Sequence, residues 1–143
     1  MKLNLTTKHA IRSLLYLGGQ PEELCSVRKI HEVTGIPQKY LGHVMRRLCE
    51  AEMVTASRGK KGGYRLAKDP GQISIARVLA AVEGLEAFDE CMLGLDSCNS
   101  ATRGFCPLHE PWQIHRHGIL ETLEKVSLAD LAGTAPCVWE LPK

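Results

Sequence analysis

Three cysteines and a histidine lie close together in the second half of the chain, in the pattern Cys91-x6-Cys98-x7-Cys106-x2-His109. Thiolates are the usual ligands of iron–sulfur clusters, and an imidazole can replace some of them. Three Cys and one His also suit zinc, but structural zinc sites pair their cysteines about two to four residues apart. The wider gaps here describe a looser, solvent-reachable loop, which suits a cluster that is assembled, attacked or lost. The Cys-x2-His end puts Cys106 and His109 about one helical turn apart, so both can face one site. The spacing alone leaves three chemistries open: an iron–sulfur cluster first, then zinc, then thiols acting by redox. Cys25, Cys49 and Cys137 are scattered. Cys49 follows Leu48 at the buried edge of a helix and reads as a small core residue. Cys25 reads similarly, and Cys137 is left between an extra thiol and packing.

Such a loop needs elements to hold it. The chain has 143 residues, 44% apolar and 24% charged, which is one ordinary globular domain with room for a single core. No apolar run is long enough to span a membrane, and the first residues lack the apolar core of a signal peptide, so a cytoplasmic, reducing location is expected. Thr6 or Thr7 can cap a first helix to about Leu17, ended by Gly18-Gly19. Ser26 can cap a second helix, Val27 to Thr34, stopped at Gly35. Pro37 suits the first turn of a third, in which Leu41, Val44, Met45 and Leu48 keep the spacing of a buried stripe. Met53 to Ser57 reads as a strand, Arg58 to Gly63 as a turn rich in glycine, and Tyr64 to Ala67 as the returning strand. Ser74 can cap a helix from Ile75 to Val82. A Gly/Cys-rich loop covers about 84–106. A long helix from Leu108 or Pro111 to Val126 follows, then a short piece at 127–131 and an irregular tail. The order is mainly α: a winged helix–turn–helix with a two-stranded wing and a long C-terminal dimerisation helix. It divides into a reading module at 1–83, the cysteine loop at 84–106, and the dimerisation helix and tail at 107–143.

Charge agrees with this division. Residues 1–70 carry a balance of +7 and residues 71–143 a balance of −5, which the net +2 conceals. A basic half needs an anionic partner. With only 5% aromatics, base stacking on single strands is disfavoured, and double-stranded DNA is the expected partner. The third helix offers Gln38, Lys39, His43, Arg46 and Arg47 to a major groove. The turn offers Arg58, Lys60 and Lys61, with Arg58 best placed for a minor groove. On the long helix Leu108, Trp112, His115, Ile119, Leu123 and Val126 form a stripe that a chain this small has little core to cover, so a homodimer is expected. Gly118 within that helix would allow close packing. No Ser-His-Asp or paired-carboxylate arrangement and no phosphate-binding glycine loop before a helix is present. Neither an enzyme nor a small-molecule substrate is therefore expected. Two other readings stand beside the iron–sulfur regulator: the same DNA-binding dimer switched by zinc or thiols, and an iron–sulfur carrier or assembly partner whose basic face meets an acidic protein.

The chain resembles, over nearly its whole length, the winged-helix family of iron–sulfur transcriptional regulators that includes IscR, NsrR and RirA. The carriers are Met1-Lys2-Leu3 leading to Ala10-Ile11-Arg12, Ile36-Pro37-Gln38-Lys39-Tyr40-Leu41, and above all the wing Arg58-Gly59-Lys60-Lys61-Gly62-Gly63-Tyr64, followed by Leu66-Ala67-Lys68-Asp69-Pro70 and the three-cysteine loop. The resemblance implies a dimeric repressor or activator whose cluster, by its presence, redox state or nitrosylation, sets DNA affinity. Cys91, Cys98 and Cys106 then correspond to cluster ligands, with His109 at the fourth position of the IscR branch. In the NsrR branch a carboxylate on the first helix of the other subunit completes the site. Lys8 stands at that position here, and its neighbour His9, or Glu110 beside His109, is the alternative fourth ligand. Both loop gaps depart from the commonest five-residue spacing, which leaves 2Fe–2S and 4Fe–4S open. Gly42 stands where some relatives present an acidic base-reading residue, so their operator does not transfer.

Overall fold

The structure, a computed structural model, describes residues 3–85, 91, 93 and 106–133. Cys98, Cys137 and most of the expected 84–106 loop lie outside them. Helix α1 (Leu5–Gly18) starts earlier than expected. Asn4 is its cap and accepts from the amides of Thr6 and Thr7 at 2.8 and 3.2 Å. Asn outranks Thr as a cap, so both threonines fall inside the helix. Ser26 caps α2 (Val27–Thr34) through the Lys29 amide, and Gly35, at φ 69°, closes it in the left-handed conformation that glycine adopts without cost. Pro37 is the cap residue of α3 (Gln38–Glu50) rather than part of its first turn. Leu41, Val44, Met45 and Leu48 are all buried, as their spacing requires.

Strands β1 (Val54–Ser57) and β2 (Gly63–Leu66) pair antiparallel, Val54 opposite Leu66 and Ser57 opposite Gly63. The hairpin has a third, single-residue rung. Cys25, just before α2, exchanges two backbone hydrogen bonds of 2.9 Å with Tyr64. Only glycine fits at 63, because a Cβ there would lie 2.7 Å from the Cys25 carbonyl. The wing is thereby pinned to the start of the helix–turn–helix.

A 3-10 turn (Pro70–Gln72) leads to α4 (Ile75–Val82), capped by Ser74 as expected. Helix α5 (His109–Lys125) is followed by α6 (Leu128–Ala132), which opens with a Ser127–Asp130 capping box. Around Ser74 and Ser127 the chain is cross-linked: the Ile75 amide donates to the Val126 carbonyl at 3.0 Å, and Leu128 to Ile73 at 2.8 Å. The end of α5 is thus bonded to the start of α4. The core gathers Ala10, Leu14 and Leu17 of α1, Ile30 of α2, the α3 stripe, Val78 and Val82 of α4, and Leu128. The mainly helical, winged helix–turn–helix expectation holds. Among the described residues no helix is long and apolar enough to cross a membrane.

Candidate nucleic-acid interface and cysteine site

Burying 41, 44, 45 and 48 turns the opposite face of α3 to solvent. Gln38, Lys39, His43 and Arg46 are all exposed there. Arg46 reaches Glu50 at 3.8 Å, a loose surface pair with both side chains about two-thirds exposed, and such a pair restrains its cation little. Arg47 behaves differently. It is half-buried and donates to the carbonyl of Val82, in the last turn of α4. Expected to face DNA, this guanidinium is instead spent on an orphan helix-end carbonyl, a contact that exists only once α3 and α4 pack together. The next residue, Glu83, accepts from the hydroxyl of buried Thr7 on α1. Burial raises the Glu83 carboxyl above its ordinary value, and hydrogen bonding from the Thr7 backbone opposes this.

The wing leaves Arg58, Lys60 and Lys61 exposed to solvent. Gly59, at φ 113°, makes the turn that puts them at the tip. Between the wing and the second half of α3 runs a groove of about 480 Å³, lined by Arg46, Cys49, Ser57, Arg58 and Tyr64 among others. Two guanidiniums therefore frame one cleft beside the exposed helix face. Sequence reasoning passed over two residues of this surface. Arg65 is exposed on β2 opposite Thr55. Tyr40 is 55% exposed at the leading turn of α3. The signal for Tyr40 was its place one residue off the buried stripe. Its ring lies against His9 of α1, with centroids 6.0 Å apart and planes tilted by 42°.

His9, the alternative ligand, is buried at 8% exposure. Its Nδ1 has no hydrogen-bond partner among the described residues. Burial first, then the charge of Arg12, pushes its pKa below the ordinary value, so the ring is held neutral. Cys106 and His109 are brought together as expected: the His109 amide donates to the Cys106 carbonyl at 3.1 Å, which makes the turn that opens α5. Cys106 and Cys91 are half-buried, His109 is buried, and Glu110 is exposed beside it. Three thiolates and an imidazole are the right donors for an iron–sulfur cluster. Among the described residues, however, no three His, Cys, Asp or Glu side chains are gathered closely enough to hold a metal. Cys25 and Cys49 pack on the core, and burial pushes both thiols up, which keeps them protonated.

The stripe on α5 is left largely uncovered. Leu108 and His115 are exposed, Trp112, Ile119, Leu123 and Val126 only half-buried, while the buried side chains of this helix are His109 and Arg116. Ile114, His115, Gly118, Ile119, Thr122 and Leu123 line a shallow apolar groove of about 490 Å³, and a Cβ on Gly118 would meet nothing within 4 Å.

Comparison with known proteins agrees with this architecture. The family described as "Rrf2: Iron-dependent Transcriptional regulator" matches residues 3–134. A helix–turn–helix-type transcriptional regulator of Synechocystis is 37% identical over 133 residues, which is 92% of this chain and 87% of that protein. Another from Aquifex aeolicus is 27% identical over 126 residues, 88% of each chain. Among solved structures, CymR, the global cysteine regulator of B. subtilis, superposes with a TM-score of 0.75 over 94% of this chain and 98% of its own. IscR of T. potens does so with 0.72 over 100% and 93%. Both are 24% identical to this chain, so they bear on the fold alone.

Proposed function

Because the chain belongs to the Rrf2 family of transcriptional regulators, we propose that it binds double-stranded DNA as a homodimer and that an iron–sulfur cluster on Cys91, Cys98, Cys106 and His109 sets its affinity. The observation that carries the DNA reading is the continuous exposed surface of Gln38, Lys39, His43 and Arg46 beside the Arg58, Lys60 and Lys61 wing. The helix face is sized for a major groove and the wing for the neighbouring minor groove. The dimer reading rests on the uncovered α5 groove, which a second copy of the same helix fits.

When bound, the cluster would supply a redox- and nitric-oxide-sensitive centre. The chain's own part is to hold it. Cys106 and His109 present two donors from one turn at the head of the dimerisation helix, and Cys91 supplies another from the preceding segment. Loss of that tether frees the head of α5, and with it the relation between two recognition helices. His9 and Glu110 remain the alternatives for the fourth ligand. Residues 1–83, 84–106 and 107–143 then act as reader, sensor and dimeriser. Protein purified without oxygen should be brown, and Cys→Ala at 91, 98 or 106 should bleach it without abolishing the fold. Colourless protein with stoichiometric zinc overturns the cluster assignment.

One observation favours a second reading. Cys91 and Cys106 are thiols with no disulfide between described residues, both half-buried, so a thiol or zinc switch on the same DNA-binding dimer is chemically available. Metal analysis alongside thiol titration separates the two.

A further inference from the structure

The basic face of α3 is centred on Lys39, His43 and Arg46. At 100° per residue, Tyr40 and Arg47 lie together about 80–100° round from Lys39, on the edge of the helix that adjoins α1 and α4. Arg47 is the cation of that edge, but its guanidinium is turned back onto the Val82 carbonyl. Tyr40 stays outward, 55% exposed, although one side of its ring is seated on the buried ring of His9. A large aromatic that is fixed from below and open above, on a surface otherwise polar and basic, has its hydroxyl as the only polar group to offer.

Position decides what that hydroxyl meets. The centre of a recognition helix faces base edges, and its flanks face the sugar–phosphate walls of the groove. Tyrosine hydroxyls are among the donors that fix register on phosphates.

We infer that Tyr40 is a DNA-backbone contact, its hydroxyl donating to a phosphate oxygen at the α1 side of the groove, with His9 as the positioning residue beneath its ring. This rests on the DNA-binding reading above. The contact is neutral, so it strengthens binding without releasing a counterion. It is also indifferent to sequence, because every phosphate is alike.

The test compares wild type with Tyr40→Phe, which keeps the ring on His9 and removes only the hydroxyl. Binding is followed by fluorescence anisotropy on two labelled duplexes, one of random sequence and one enriched by selection against the wild-type protein. Each is titrated at several salt concentrations, with the melting temperature as a check on folding. The expected result is about a threefold to tenfold loss of affinity, the size of one lost hydrogen bond, equal on both duplexes and with an unchanged salt slope. Arg58→Ala, run alongside, should instead flatten the slope by about one phosphate contact. Equal affinity of wild type and Tyr40→Phe overturns the inference. So does a loss confined to the selected duplex, since the hydroxyl would then be reading a base. A wild type that binds neither duplex removes the DNA-binding reading itself, an outcome recognisable without any variant.

Discussion

Gly63→Ala is the sharpest test of how the wing is held. A methyl there would sit 2.7 Å from the carbonyl carbon and oxygen of Cys25 and 3.0 Å from its nitrogen. All three are backbone atoms of a fully buried residue, so no rotamer change relieves the clash. The strand must lift away, and both 2.9 Å bonds between Cys25 and Tyr64 go with it. Two hydrogen bonds lost from a buried site cost about 1–3 kcal/mol together, and residual overpacking adds about 1 kcal/mol or more. A total of about 2–4 kcal/mol lowers the melting temperature of a chain this size by roughly 10 °C, readable by circular dichroism. The control is Gly42→Ala on the exposed face of α3, where an added Cβ meets nothing within 4 Å. There the same chemistry should stabilise the helix by about 0.5–1 kcal/mol. If Gly63→Ala melts with the wild type, the seating of β2 on Cys25 is refuted.

Replacing Arg58 by Ala should weaken DNA binding while leaving any cluster spectrum unchanged, measured by mobility shift and visible absorption on one preparation. Ile119→Asp puts a charge into the α5 groove, and sedimentation should then report monomers where the wild type gives dimers. His9 is held below its ordinary pKa. Its contribution to stability is therefore complete above about pH 6.5 and is lost as pH falls through the lower folded value, since the unfolded chain takes up the proton first. The difference between urea midpoints of wild type and His9→Gln across that range isolates His9 from Glu83, whose burial shifts its carboxyl the opposite way. A pH-independent difference would count against a neutral buried His9.

Features decided within a few residues were legible in the sequence. Ser26, Gly35 and Ser74 cap their helices where local hydrogen-bonding chemistry demands, and the α3 stripe follows from period alone. Asn4 was passed over because two threonines follow it and compete for the same role. The Arg47 contact was not legible, since the sequence places the residue near the basic face and only the packing of α4 offers it Val82. Cys25 read as packing and does pack, yet its backbone also serves as a third rung of the wing. For the cysteine site, donor types and the Cys106–His109 turn were legible. The placing of Cys91 and Cys98 against that turn was not, because no local period governs the segment between, most of which lies outside the described residues.

The two bonds just ahead of the cysteine segment have a mechanical meaning. Val82 is held by Arg47 of α3, and Glu83 by Thr7 of α1. A connection fixed at one point is a swivel, and the parts on either side turn independently. A connection fixed at two points, on two different helices, is a bracket. Two adjacent residues at the end of α4 thus clamp the recognition helix and its support into one rigid corner, Val82 holding α3 and Glu83 holding α1.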